Sequence, residues 1–250
     1  MTKPTILLVG GAWHTAAYLE PLATTLEAAG YPTVTLGLPS VGANPPKPDF
    51  GADVAIIRST VSELVSEGKR VLAVLHSYGG IAGTEALQEF GQALEKGAGG
   101  VLGLVYIATM LPKKGDSFEA HMESVGDFAW KPAREMLTAD GMMALPPDFA
   151  AGMFYSDLEP EESSRWTALL GAHSVGAFQS PITHETYRHI PSTYIFTTKD
   201  QAFKHEYQLK TVQRAGITVT KTLETGHSPF LSRPDEVKDF IVSFAAGLDA

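Results

Sequence analysis

A chain of 250 residues with 44% hydrophobic and 19% charged residues can bury one large α/β core and is too apolar to stay disordered. Its formal net charge of −9 argues against binding nucleic acid or anionic lipid, and no apolar run reaches the ~20 residues of a membrane span. With no cysteine there is neither a disulfide framework nor a thiolate metal site, and the start MTKPTILLVGG lacks a signal-peptide apolar region. The expected location is therefore cytoplasmic and the expected partner a small molecule.

Thr5 to Val9 is a continuous apolar run ending in Gly10-Gly11-Ala12, as a strand buried on both faces would be. The helix expected next, residues 16–29, carries Leu19, Leu22, Ala23 and Leu26 on one face and stops at Gly30. Tyr31 to Leu36 predicts the second strand, and the proline-rich stretch 37–49 a loop. Asp53 is expected to cap a helix reaching Glu67, with Val54, Ile57, Val61, Leu64 and Val65 at helical spacing. Arg70 to Leu87 then reads strand, abrupt turn, helix. A Gly-rich connector at 97–100 leads into the strand Val101 to Ala108. Strands alternating with helices imply a parallel sheet with helices on both faces.

After Thr109 the rhythm breaks. No strand-like run is found from Leu111 to about Pro181, and six of the seven methionines fall between Met110 and Met153. Trp130, Trp166, Phe118, Phe128, Phe149, Phe154 and Tyr155 join them. An inserted, mainly helical cap over residues 111–181 is expected, flanked by a core of residues 1–110 and 182–250. Most of these side chains should form the cap's own core. Phe118, Met122, Phe128 and Trp130 are expected to face an apolar ligand, together with Gly11 and His14. The alternation resumes with the strand Ser192 to Thr198, a helix from Gln201 to Ala215 closed by Gly216, and the strand Ile217 to Leu223. Ser232 opens the closing helix, with Pro234 in its first turn and Val237, Phe240, Ile241 and Phe244 inward.

The stretch RVLAVLHSYGGIAGTEAL has a serine at the apex of a strand–turn–helix, the layout of a nucleophile elbow. The usual pattern is G-x-S-x-G; here Leu75 stands where the first glycine is expected. A serine hydroxyl needs a base to take its proton and an acid to orient that base. Asp200 ends the strand STYIFTT, and His227 follows the last strand in the loop TGHSPF, so Ser77, Asp200 and His227 come in the order expected of such a triad. Glu224 and Asp116 are the rival acids. His76, next to the serine, is expected to pack beside the strand. The backbone N–H groups of Tyr78 and Ala12 are the candidate oxyanion donors. His184-Glu185-Thr186-Tyr187-Arg188-His189 spaces its histidines five apart where one helix face needs four, so no zinc site is expected. G-x-G-x-x-G is absent, and no cofactor is indicated.

With these residues in place, the chain resembles the α/β-hydrolase branch that contains plant methylesterases, hydroxynitrile lyases and their microbial relatives. The likeness runs nearly the full length and is sharpest at VGGAWH, LHSYGG, TTKDQAFKHEYQ and ETGHSPFLSRP. It implies a mostly parallel, six-stranded α/β-hydrolase sheet with an inserted helical cap. It also implies a triad on Ser77, Asp200 and His227, and oxyanion donors on Ala12 and Tyr78. The lyases carry a lysine after the catalytic histidine and a threonine beside the oxyanion position. Ser228 and Gly11 stand there instead, which argues against cyanohydrin cleavage. Hydrolysis of a small ester is the expected reaction. A lactonase, a C–C hydrolase on a polyketide-like molecule and a slow-turnover ligand receptor are the readings left open, as is a homodimer.

Overall fold

The computed structural model describes residues 2–91, 99–128, 130, 134–135 and 138–248. Six strands form one parallel sheet: β1 (Thr5–Val9), β2 (Thr33–Leu36), β3 (Arg70–His76), β4 (Gly100–Ile107), β5 (Ser192–Thr197) and β6 (Val219–Leu223). Their spatial order is β2-β1-β3-β4-β5-β6. Every residue of β1 and β4 is buried, which is why both read as unbroken apolar runs.

The direction of strand addition reverses at β1. Right-handed crossovers therefore send α1 (Glu20–Ala28) to one face of the sheet, and α2 (Gly51–Ser66) and α3 (Tyr78–Ala86) to the other. Consistent with this, α2 packs on α3, while α1 packs on the last helix. The reversal leaves a crevice at the carboxyl ends of β1 and β3, where ligands of open α/β sheets bind. Register fixes what lines it. Val9 pairs with Leu75, so Ala12 and Ser77 leave neighbouring strands almost level.

Between β4 and β5 the chain forms α4 (Phe118–Val125), α5 (Pro147–Phe154) and α6 (Pro160–Thr167). Ser117 caps α4 by accepting from the Ala120 N–H at 3.2 Å, and Gly126 ends it with φ 100°. Two further long helices are α7 (His205–Ala215) and α8 (Pro234–Leu248). Among the described residues no helix is long and apolar enough to cross a membrane.

Three expectations need correction. Residues 111–181 are not strand-free: Thr138–Ala139, Met142–Met143 and His173–Ser174 form a small antiparallel sheet. Its hairpin turns on Asp140 and Gly141, both at positive φ, a D-G turn of the kind that closes two-residue hairpins. Asp53 does not cap α2, which starts two residues earlier; it is a buried acceptor inside the first turn. The helix after Asp200 starts at His205 rather than Gln201, because Ala202 and Phe203 donate their N–H groups to the Asp200 carboxylate.

Candidate active site

Ser77 sits between β3 and α3 at φ 52° and ψ −131°, a backbone conformation that costs of order 1–3 kcal/mol for a residue with a Cβ. The turn is over-determined by its surroundings. The Ser77 N–H donates to Ile107 O at 3.1 Å, the Gly80 N–H donates to Ser77 O at 2.9 Å, and the Thr109 hydroxyl also donates to Ser77 O. A Cβ at Gly79 would lie 2.3 Å from the Gly10 carbonyl oxygen, so only glycine lets α3 start this close to the end of β1.

The structure brings Ser77, His227 and Asp200 together. The Ser77 hydroxyl lies 3.0 Å from His227 Nε2, and His227 Nδ1 donates to Asp200 Oδ2 at 2.8 Å. Asp200 is wholly enclosed by donors. Ala202 and Phe203 N–H reach Oδ1, both at 2.8 Å, while the Thr197 hydroxyl (2.8 Å) and Gln208 Nε2 (3.1 Å) reach Oδ2. These bonds satisfy a carboxylate held in the interior. The loops carrying Asp200 and His227 are themselves tied, Lys199 N–H to Thr225 O at 2.9 Å. Of the rival acids, Glu224 is exposed and pairs with Lys199 at 3.0 Å, and no hydrogen bond joins Asp116 to His227 among the described residues.

Ala12 and Tyr78 both border the cavity beside Ser77. Among the described residues neither backbone N–H donates to another protein group. The Tyr78 ring is anchored from behind: its hydroxyl donates to Asp53 Oδ2 at 2.8 Å, and the Ser40 N–H donates to Asp53 Oδ1 at 2.9 Å. Burial pushes the Asp53 carboxyl up and the Tyr78 phenol well up.

The cavity in front of Ser77 holds about 410 Å³. Phe118 and Met122, one turn apart on α4, line it together with Phe128 and Trp130. Phe128 is 70% exposed and belongs to the rim. Gly11 and His14 are not part of the wall. Gly11 lies against the Cβ of Ser77, and His14 is buried behind the loop, where Nδ1–H donates to Ala12 O (2.7 Å) and Nε2 accepts from the Tyr155 hydroxyl (2.8 Å). Desolvation lowers the His14 pKa to about 3, so its ring stays neutral.

More of the Met and aromatic residues border the cavity than expected: Met110, Met153, Phe149 and Phe154 line it too. Many of them are core as well, since Met110, Phe118, Met122 and Phe154 are buried in one cluster with Tyr155, Met143 and Trp166. Met136 lies outside the described residues. Sequence reading missed Trp13, Phe178 and Phe203 in the wall, and Gln208 behind Asp200. Gln208 did leave a signal. It shares a helix face with Thr211, Val212 and Ala215, and a glutamine on a buried face needs polar partners.

A family model described as "Alpha/beta hydrolase family" matches residues 6–240. "Probable hydrolase R7" from Phoma sp. is 31% identical over 253 residues, covering 98% of this chain and 99% of that protein. "Methylesterase 18" from Arabidopsis thaliana is 26% identical, with 99% of each chain covered. Among solved structures, polyneuridine aldehyde esterase superposes with a TM-score of 0.78 at 22% identity, over 97% of this chain and 99% of that one, which speaks to the fold alone.

Proposed function

Because this chain belongs to the α/β-hydrolase family, we propose that it is a serine hydrolase that cleaves a small-molecule carboxylic ester without a cofactor. The observation that carries the proposal is the alignment of Ser77 Oγ, His227 and Asp200 at 3.0 and 2.8 Å, open to an aromatic cavity of about 410 Å³. Similarity to a protein named a methylesterase supports the ester. The apolar wall supports an uncharged acyl or alcohol group.

His227 Nε2 takes the Ser77 proton as Oγ attacks the ester carbonyl carbon. The carbonyl oxygen becomes an oxyanion held by the N–H groups of Ala12 and Tyr78, each such donor contributing ~3–4 kcal/mol to the transition state. The imidazolium, steadied by Asp200, returns its proton to the departing alkoxide, and the C–O bond breaks. Water then donates a proton to His227 and attacks the acyl-serine. Collapse releases the acid and restores Ser77. Residues 111–181 act as the cap that shapes the cavity and excludes bulk water.

Ser77→Ala tests this directly. It should abolish turnover of p-nitrophenyl acetate and labelling by a fluorophosphonate while leaving the thermal midpoint nearly unchanged. Retained turnover would place the nucleophile elsewhere. A panel of esters and lactones graded by acyl size would then define the substrate.

A further inference from the structure

Behind the triad lies a second set of buried groups that the mechanism does not use. His76 and Tyr18 are enclosed by the sheet end and the loops of Gly11 and His227, with Phe230 packed edge-on to both rings at 5.0 and 5.2 Å. His76 Nε2 lies 2.8 Å from the backbone carbonyl oxygen of His227. A carbonyl oxygen only accepts, so Nε2 carries the proton and Nδ1 is bare. Nδ1 in turn lies 2.7 Å from the Tyr18 hydroxyl, which must donate to it. The Tyr18 oxygen accepts the Gly11 N–H at 2.8 Å. The chain of bonds therefore has one direction only: Gly11 N–H to Tyr18 O, Tyr18 O–H to His76 Nδ1, and His76 Nε2–H to His227 O.

The ends of this chain matter. Gly11 immediately precedes Ala12, one candidate oxyanion donor, and His227 is the candidate base. His76 immediately precedes Ser77. Three strand-end loops, far apart in sequence, are thus tied to one another at their backbones. The His76 ring also backs the His227 ring at 4.7 Å. The geometry points to Tyr18 and His76 as a positioning pair that sets the separation between the oxyanion loop and the catalytic imidazole. Neither side chain lines the cavity, so neither touches substrate. Desolvation holds His76 neutral, as the one-way chain requires.

The kinetic consequence rests on the serine-hydrolase proposal above. Tyr18→Phe keeps the ring and removes the central hydroxyl. It should lower kcat for p-nitrophenyl acetate by about tenfold to a hundredfold, with KM changed by less than about twofold, because geometry between reacting groups is lost and substrate contacts are not. His76→Gln keeps an N–H able to reach the His227 carbonyl and should retain more activity than His76→Phe, which keeps none of the polar bonds.

A second readout does not depend on turnover. The His227 Nδ1 proton, hydrogen-bonded to Asp200, can be followed by proton NMR. Its solvent exchange should be at least about tenfold faster in Tyr18→Phe than in the parent if His227 loses its tether. Unchanged exchange and unchanged kcat in folded Tyr18→Phe and His76→Gln proteins would overturn the positioning role. A parent protein that neither turns over the ester nor labels at Ser77 would instead sink the hydrolase proposal, and the NMR comparison would still decide the brace.

Discussion

Asp200 accepts from five donors, and that arrangement decides what a single substitution would do. Asn at this position can keep one oxygen facing the Ala202 and Phe203 N–H groups, but its NH₂ then faces His227 Nδ1. The imidazole must turn into the tautomer protonated at Nε2, which can no longer take the Ser77 proton. Asp200→Asn should therefore lower kcat by on the order of 10⁴ with little change in KM. Steady-state kinetics on a soluble ester checks this, and a larger loss from Glu224→Gln would move the acid elsewhere. The proposed triad of Ser77, Asp200 and His227 could be picked out in the sequence because side-chain chemistry and order along the chain suggest it. Gln208 and the Tyr18–His76 pair were not, because polar residues become informative only when their neighbours are known.

At the scale of elements, the departure at Leu75 is resolved by the packing of β3 against α3. A Cβ at Gly83 would lie 2.6 Å from Leu75 Cδ2 and 2.8 Å from Cδ1. The glycine missing from the strand is offset by one on the helix, and Leu75 occupies the space that Gly83 leaves. Gly83→Ala should overpack this contact and cost about 1–3 kcal/mol. Leu75→Ala should cost about 2–5 kcal/mol through its cavity. In the Leu75→Ala background the added methyl has room, so Gly83→Ala should cost less there. Urea denaturation of the two single variants and the double variant measures the coupling, and strict additivity would refute the packing account. The short hairpin at 138–143 is a different case. Asp140-Gly141 marked it, yet two-residue strands carry too little hydrophobic pattern to be read. Its place is set by a distant partner, since Trp13 Nε1 donates to the Met143 carbonyl at 2.9 Å.

At the scale of the whole molecule, four of the buried histidines among the described residues are held neutral by desolvation. Desolvation lowers His14, His121 and His173 to about 3 and His76 well below its ordinary value. The unfolded chain binds protons at these sites below about pH 6.5, whereas the folded protein resists them until far lower. Unfolding therefore takes up protons through that window. Stability is fully present above about pH 6.5 and falls as pH falls, by up to ~1.4 kcal/mol per histidine per unit. Asp53, raised by burial, pushes the other way, but it is one group against four. The urea midpoint should be clearly lower at about pH 5 than at about pH 7.5. A midpoint that stays level or rises on acidification would mean these rings are protonated in the fold.

Unbroken apolar runs and the spacing of inward residues determined, from the sequence alone, a parallel sheet with helices on both faces and an interrupting segment after the fourth strand. The same local signals put a serine, a carboxylate and an imidazole at three strand ends. Local pattern reports which way a side chain faces within its own element, and it ends there. Only the tertiary structure decided that His14 lies behind the loop of Gly11 and Ala12 and not in the cavity, that α4 and α5 turn their Met and aromatic residues toward Ser77, and that His76 and Tyr18 join two loops. Those are distances between groups remote along the chain, and they exist only once the strands have paired in register.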